Sequence, residues 1–81
     1  MDRLLTGDVI SVNGKRAILV ALGRGLSRAG FVVFEDMKTT KLITEIDYWH
    51  EQGYISFVSR TDSNKRWAAE YRKLNRERIP V

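Results

Sequence analysis

TTKLITEIDYWHEQGYISFVSR, residues 39–60, reads as an amphipathic helix over 39–52, a glycine stop and one alternating strand. Leu42, Ile43, Ile46 and Trp49 follow the i, i+1, i+4, i+7 spacing of a single buried helix face, while Lys41, Glu45, Asp47 and Glu51 fall elsewhere. Thr39 or Thr40 can cap the N-terminus of this helix, and Gly53 suits the left-handed turn in which helices often end. Beyond it, residues 54–59 are β-prone and mostly alternating, with Ile55 and Phe57 competing for the core side. This spacing assigns Trp49 to the core. Trp49→Ala is therefore expected to unfold the domain, and His50→Ala to leave folding and binding largely intact.

Toward the N-terminus, DVISV and KRAILVAL flank Asn13-Gly14, the pair that best tolerates the two positive φ values of a type I′ hairpin turn. Residues 8–22 are thus expected to form a β-hairpin. Lys15 and Arg16 stand at its tip, where they either meet an anion or keep an exposed turn soluble. GRGLSRAG, residues 23–30, has the glycine spacing of a phosphate-binding loop from Gly25 to Gly30, but Phe31 and Val32 occupy the positions that require Lys and Ser/Thr. It reads instead as a basic loop in which Arg24 and Arg28 either hold polymer phosphates or belong to a plain strand connection. Residues 31–34, FVVF, form a strand apolar on both sides, as expected of a central or helix-covered strand.

Toward the C-terminus, Asp62-Ser63-Asn64 is a cap cluster introducing KRWAAEYRKLNRER, in which Trp67, Ala68, Tyr71 and Leu74 repeat the i, i+1, i+4, i+7 pattern. The assembled expectation is an α+β fold, a small twisted antiparallel sheet or part-open barrel in the order β-β-β-α-β-α with a basic C-terminal helix. Residues 1–60 make a compact αβ domain. Residues 61–81 make a basic amphipathic helix, packed on that domain or ordered by a partner.

Composition narrows the function classes. Eighty-one residues suit one modest core, and 43 % hydrophobic content favours a folded globule over a disordered tail. With no cysteine, thiolate metal sites are excluded, and no apolar run approaches the length of a membrane span. MDRLLTGDV lacks the apolar centre of a secretion signal, so a cytoplasmic location is expected. His50 is the one histidine; Asp47 and Glu51 make no ligand pattern with it. No serine stands in a nucleophile motif, and the neighbouring carboxylates read as solvated charges. Neither catalysis, nor a cofactor, nor a small-molecule substrate is expected.

The net charge is +4, and residues 61–81 supply +3 of it through six basic and three acidic side chains. Lys15, Arg16, Arg24, Arg28, Lys65, Arg66, Arg72, Lys73 and Arg76 could neutralise nucleic-acid phosphates if hairpin tip, glycine loop and last helix share a face. Tyr48, Tyr54 and Tyr71 are candidate stacking groups and equally good packing groups. No zinc-finger, ribonucleoprotein or helix-turn-helix pattern is present, so base-specific reading is not expected.

GDVISVNGKRAILVAL, TTKLITEIDYWHEQGYISFVSR and KRWAAEYRKLNRERI together resemble the N-terminal region of bacterial transposases of the Mu-like, retroviral-integrase-type superfamily. There, a small β-rich segment precedes a helix that ends in a glycine and a strand, and a basic helix leads toward DNA-binding domains. The resemblance implies an accessory module that helps assemble protein on transposon DNA. The superfamily's catalytic acidic residues belong to a later domain, so none is carried over. The competing expectation is a small phage or mobile-element protein that binds and modulates a host protein through a strand edge or the Trp67–Tyr71–Leu74 face.

Overall fold

The computed structural model describes residues 3–81 and is an α+β domain with a five-stranded antiparallel sheet and two α-helices. Strands β1 (Val9–Val12), β2 (Lys15–Leu22), β3 (Gly30–Phe34) and β4 (Thr40–Ile43) are followed by helix α1 (Ile46–Glu51), strand β5 (Ile55–Ser59) and helix α2 (Asp62–Leu74), with a 3₁₀ turn at Arg76–Arg78. The spatial order is β4-β3-β2-β1-β5, which leaves the sheet open between β4 and β5.

The β1–β2 hairpin forms as its turn chemistry dictates: Asn13 and Gly14 take φ of 52° and 81°, and Val12 pairs with Lys15. The long helix expected over residues 39–52 does not form. Its first half is β4, paired with β3 through Thr40↔Val33, Lys41↔Val32 and Leu42↔Phe31, and the order gains a strand. The physical reason is the turn before it. Asp36 accepts hydrogen bonds from the backbone N–H groups of Lys38 and Thr39 and from the Thr39 hydroxyl, Met37 takes φ of 61°, and the Phe34 N–H donates to Thr39 O. These bonds hold the Asp36 carboxyl at a pKa of about 2 and fold residues 40–43 back onto β3, where ladder bonds outweigh a helical periodicity of modest intrinsic value. Thr39 thus serves a strand turn and caps no helix. Helix α1 is confined to six residues by Glu45, whose left-handed φ of 53° starts a fresh turn.

The sheet carries a core on each face. On one, Leu4, Ile10, Val12, Ala17, Leu19, Val32, Ile43 and Ile55 surround fully buried Ile46, which α1 lowers into the opening between β4 and β5. Trp49, one turn on, is 37 % exposed and lies at the rim of that core, contrary to the buried place its spacing suggests. A six-residue helix over a curved sheet edge buries one position well and leaves its next turn at the boundary.

On the other face, Val20, Ala21, Phe31 and Val33 pack with Ala68 of α2, flanked by Trp67, Tyr71 and Ile79. A bulge in β2 between Leu19 and Ala21 turns Val20 and Ala21 to this side together, since the extra residue breaks the alternation. The N-cap of α2 is Thr61, one residue ahead of the expected cluster; its hydroxyl accepts from the Asn64 N–H at 3.1 Å. Ala68 is small enough to let the helix approach the strands closely, while Leu74, expected on the packed face, is exposed. No helix among the described residues is long and apolar enough to cross a membrane.

Candidate nucleic-acid interface

The nine basic residues expected to face phosphates divide into three settings. Lys15 and Arg16 stand at the hairpin tip, while Arg24 and Arg28 lie beyond Leu22 at the far end of β2. Six residues of strand separate Arg16 from Leu22, about 20 Å at the rise of a β-strand. The hairpin tip and the glycine loop therefore occupy opposite ends of the sheet. Lys15 and Arg16 also line a depression with Glu35 and Asp36, whose carboxylates oppose a phosphate there.

Arg28 is occupied in holding the fold. Its guanidinium makes a fork with Asp47, Nε to Oδ2 at 2.7 Å and Nη2 to Oδ1 at 2.6 Å, and Nη2 also donates to Leu4 O at 3.0 Å. Arg3 adds a further contact to Asp47 Oδ2 at 3.1 Å. The side chain of Arg28 is 11 % exposed. Hydrogen bonding by Arg28 holds the Asp47 carboxyl below the usual carboxylate range, and the same bonds raise the Arg28 guanidinium. A group whose folded pKa is lowered stabilises above its unfolded value, near 3.9, and loses that contribution as pH falls through the folded value. Wild-type protein is accordingly expected to exceed Asp47→Asn in urea-unfolding free energy above about pH 4, with the gap closing as the pH is lowered further.

A third setting gathers the helix residues. Lys65, Ala69 and Arg72 follow i, i+4, i+7 along α2, and Arg66 and Lys73 lie beside them with Glu70 between, at i+4 from Arg66 and i−3 from Lys73, a mainly basic stripe about 12 Å long at the helical rise. It runs into an open groove of about 450 Å³ lined by Ala21, Ala69, Arg72, Lys73, Arg76, Ile79 and Val81. No Asp or Glu side chain lines this groove, and neither Lys73 nor Arg76 joins an ion pair among the described residues. Arg72 is partly engaged: its Nη1 donates to Val20 O at 2.6 Å, at the strand bulge where the ladder is interrupted. The groove floor, Ala21, lies three residues before Arg24, so the exposed guanidinium of Arg24 stands at the same end of β2. Arg78, outside the expected set, lines an adjoining depression with Lys73, Arg76 and Glu77; the charge count of residues 61–81 was its sequence signal.

Sequence reading missed one pair altogether. Asp8 is fully buried and receives Arg60 Nε at 2.7 Å on Oδ1 and Arg60 Nη2 at 2.9 Å on Oδ2, while the Leu5 N–H donates to Oδ2 at 2.8 Å. Nothing local marks partners 52 residues apart.

The other conspicuous surface is aromatic. Tyr48, Trp49 and Tyr54 are exposed and pack edge to face, with centroids 5.0 and 5.5 Å apart. They stand beside the gap between β4 and β5, where Trp49 and Tyr54 border a cleft of about 180 Å³ with Lys41. The Trp67–Tyr71–Leu74 face has a different fate: Trp67 and Tyr71 pack half-buried on the sheet and only Leu74 remains outside. No protein-family model, no curated protein and no solved structure matches the chain.

Proposed function

We propose that this chain is a non-catalytic DNA-binding or assembly module of a mobile element, holding the phosphate backbone with α2, the groove beside it and Arg24. The observation that carries this reading is the groove over Ala21, where Arg72, Lys73 and Arg76 converge with no carboxylate side chain in the lining. A side chain as small as Ala69 between Lys65 and Arg72 lets a backbone approach the helix closely. Lys65, Arg66, Lys73, Arg76 and Arg24 are the phosphate contacts; Arg72 positions the groove through Val20. Arg28, Lys15 and Arg16 have no part in this contact. The resemblance to the accessory region of Mu-like transposases points the same way, toward DNA held without being cut.

The test is retention of a duplex as a function of salt. About five phosphate contacts predict a log K against log[salt] slope near −4 to −5, and Lys73→Ala/Arg76→Ala should reduce its magnitude by about 2, uniformly across sequences. Affinity that does not weaken with salt removes the reading.

The exposed Tyr48–Trp49–Tyr54 cluster favours a second reading, in which the module docks a host or mobile-element protein, since Trp and Tyr dominate binding energy at protein interfaces. Capture of such a partner that persists at high salt and is lost in Tyr54→Ala would support it.

A further inference from the structure

Both edges of the open sheet lack a strand partner among the described residues, and they are guarded differently. Strand β4 carries Lys41 and follows Lys38, a common protection of an edge against pairing with another chain. From Gly53 to Ser59, β5 and its approach contain no charged residue and no proline. Ser56, Phe57 and Val58 are exposed, and such a run pairs readily with a further strand. Ile55 and Phe57 point to the same face of the sheet, since their β1 partners Val12 and Ile10 both belong to the core around Ile46. Their surroundings differ. Ile55 is buried and borders the cleft of about 180 Å³ with Trp49 and Tyr54, in the gap between β5 and β4. Phe57 is exposed, with the Arg60 guanidinium carbon 5.3 Å from its ring centroid. One edge thus presents an apolar knob and an apolar cleft two residues apart.

We propose that β5 pairs antiparallel with β5 of a second copy of this chain, about a two-fold axis at Ser56. In that register Ser56 meets its own counterpart, Ile55 of each copy lies opposite Phe57 of the other, and Tyr54 lies opposite Val58. Each Phe57 is thereby delivered to the Trp49–Tyr54–Ile55 cleft of the other copy. A two-fold contact is self-complementary, so a single operation fills both clefts and covers both knobs. A strand from a different protein would have to bring a knob and a cleft at the same spacing. No like charges meet along the seam, because the nearest charged residues on either side are Glu51 and Arg60, and Arg60 is engaged by Asp8. The extra residue of the bulge against β1, Val58, falls at the end of the ladder and leaves its centre regular. Tyr54 against Val58 is an aromatic and β-branched cross-strand pair, which adds stability. A ladder this short makes a small interface, so a dissociation constant on the order of 10–100 μM is expected. The contact uses neither α2 nor its groove and stands whether or not the chain holds DNA.

Sedimentation velocity of the full chain, free of nucleic acid and spanning about 5 to 500 μM, reads the association. Wild-type protein should pass from monomer to dimer across that range. Ser56→Lys, an exposed change that sets two ammonium groups opposite each other, should keep the chain monomeric throughout and leave the thermal transition of dilute protein unchanged. Phe57→Ala should weaken the dimer by about tenfold or more, as truncation of an aromatic anchor does. Because the chain has no cysteine, single introduced thiols report the register, and they do so even if Ser56→Lys disturbs folding. Ser56→Cys should form an intermolecular disulfide quickly on mild oxidation, whereas Ser59→Cys, about 20 Å along the ladder from its own counterpart, should not. Wild-type protein that stays monomeric to the highest concentration overturns the proposal. So does a dimer that Ser56→Lys leaves intact, or one in which Ser59→Cys bridges as fast as Ser56→Cys.

Discussion

Ile46→Ala is expected to destabilise the domain by about 4 kcal/mol, within the range for truncating a buried isoleucine, and to do so more than Trp49→Ala. Ile46 is fully buried, and α1 has no other fully buried side chain with which to hold itself in the opening of the sheet. Its methyl groups also lie where a side chain on Gly30 would stand, so strand β3 and α1 are already in contact there and have little room to collapse around a void. Trp49 is larger but half open to water, and its removal leaves a notch that solvent can fill. About 2 kcal/mol is the expected loss. A domain of this size has a stability of roughly 4 to 12 kcal/mol, so Trp49→Ala should remain folded. Urea denaturation of the two variants checks the order. A Trp49→Ala protein that unfolds outright would reinstate the buried place that helical spacing assigns it.

Asp8→Ala should be nearly as damaging, at about 3 kcal/mol, because it breaks a pair whose carboxylate has no access to solvent. Two consequences add. The Leu5 N–H loses its acceptor, and Arg60 loses the carboxylate that positions it between the N-terminal segment and the start of α2. Arg60 Nη2 also donates to Arg3 O at 3.2 Å, so the same guanidinium fixes the chain on both sides of Leu4. Arg60 retains partial access to water and can reorient, which holds the loss below the upper end expected for a stranded buried charge. For a domain of 81 residues, 3 kcal/mol corresponds to a fall of about 12–24 °C in Tm, readable by calorimetry. Asp8→Asn, which keeps the shape and one acceptor, should lose less. Equal Tm values for wild type and Asp8→Ala would mean that the pair contributes nothing net.

The two guanidinium forks share a purpose. Arg28 and Arg60 come from distant parts of the chain and each spends one N–H on a carbonyl of the segment before β1, Leu4 O and Arg3 O. With Leu4 fully buried between them, this segment is built into the fold. Of the basic residues counted as phosphate ligands from charge alone, Arg28 is thereby removed and Arg72 is partly diverted. What remains is a smaller and more coherent set on α2 and at Arg24.

Much of this architecture was determined by sequence alone. Asn13-Gly14 specifies the hairpin because few other pairs accept two positive φ values, and the apolar run 31–34 can serve only as an interior strand between two cores. The i, i+1, i+4, i+7 pattern at Trp67, Ala68, Tyr71 and Leu74 marks α2, whose N-terminus the Thr61 hydroxyl caps and whose Ala68 is buried on the sheet. In residues 39–52 the same pattern misleads. A periodicity of apolar residues states which positions prefer burial, and Ile43 and Ile46 are indeed buried, but it does not state in which backbone conformation. That choice fell to β3, whose free edge offers ladder bonds to Thr40, Lys41, Leu42 and Ile43, and to the Asp36 turn that delivers them to it. Tertiary structure likewise decided which charges are available. Asp8 with Arg60, and Asp47 with Arg28, pair across 52 and 19 residues, and only the folded chain brings them together; the local composition of the chain determined that a basic surface exists, and these long-range pairs decided where it lies.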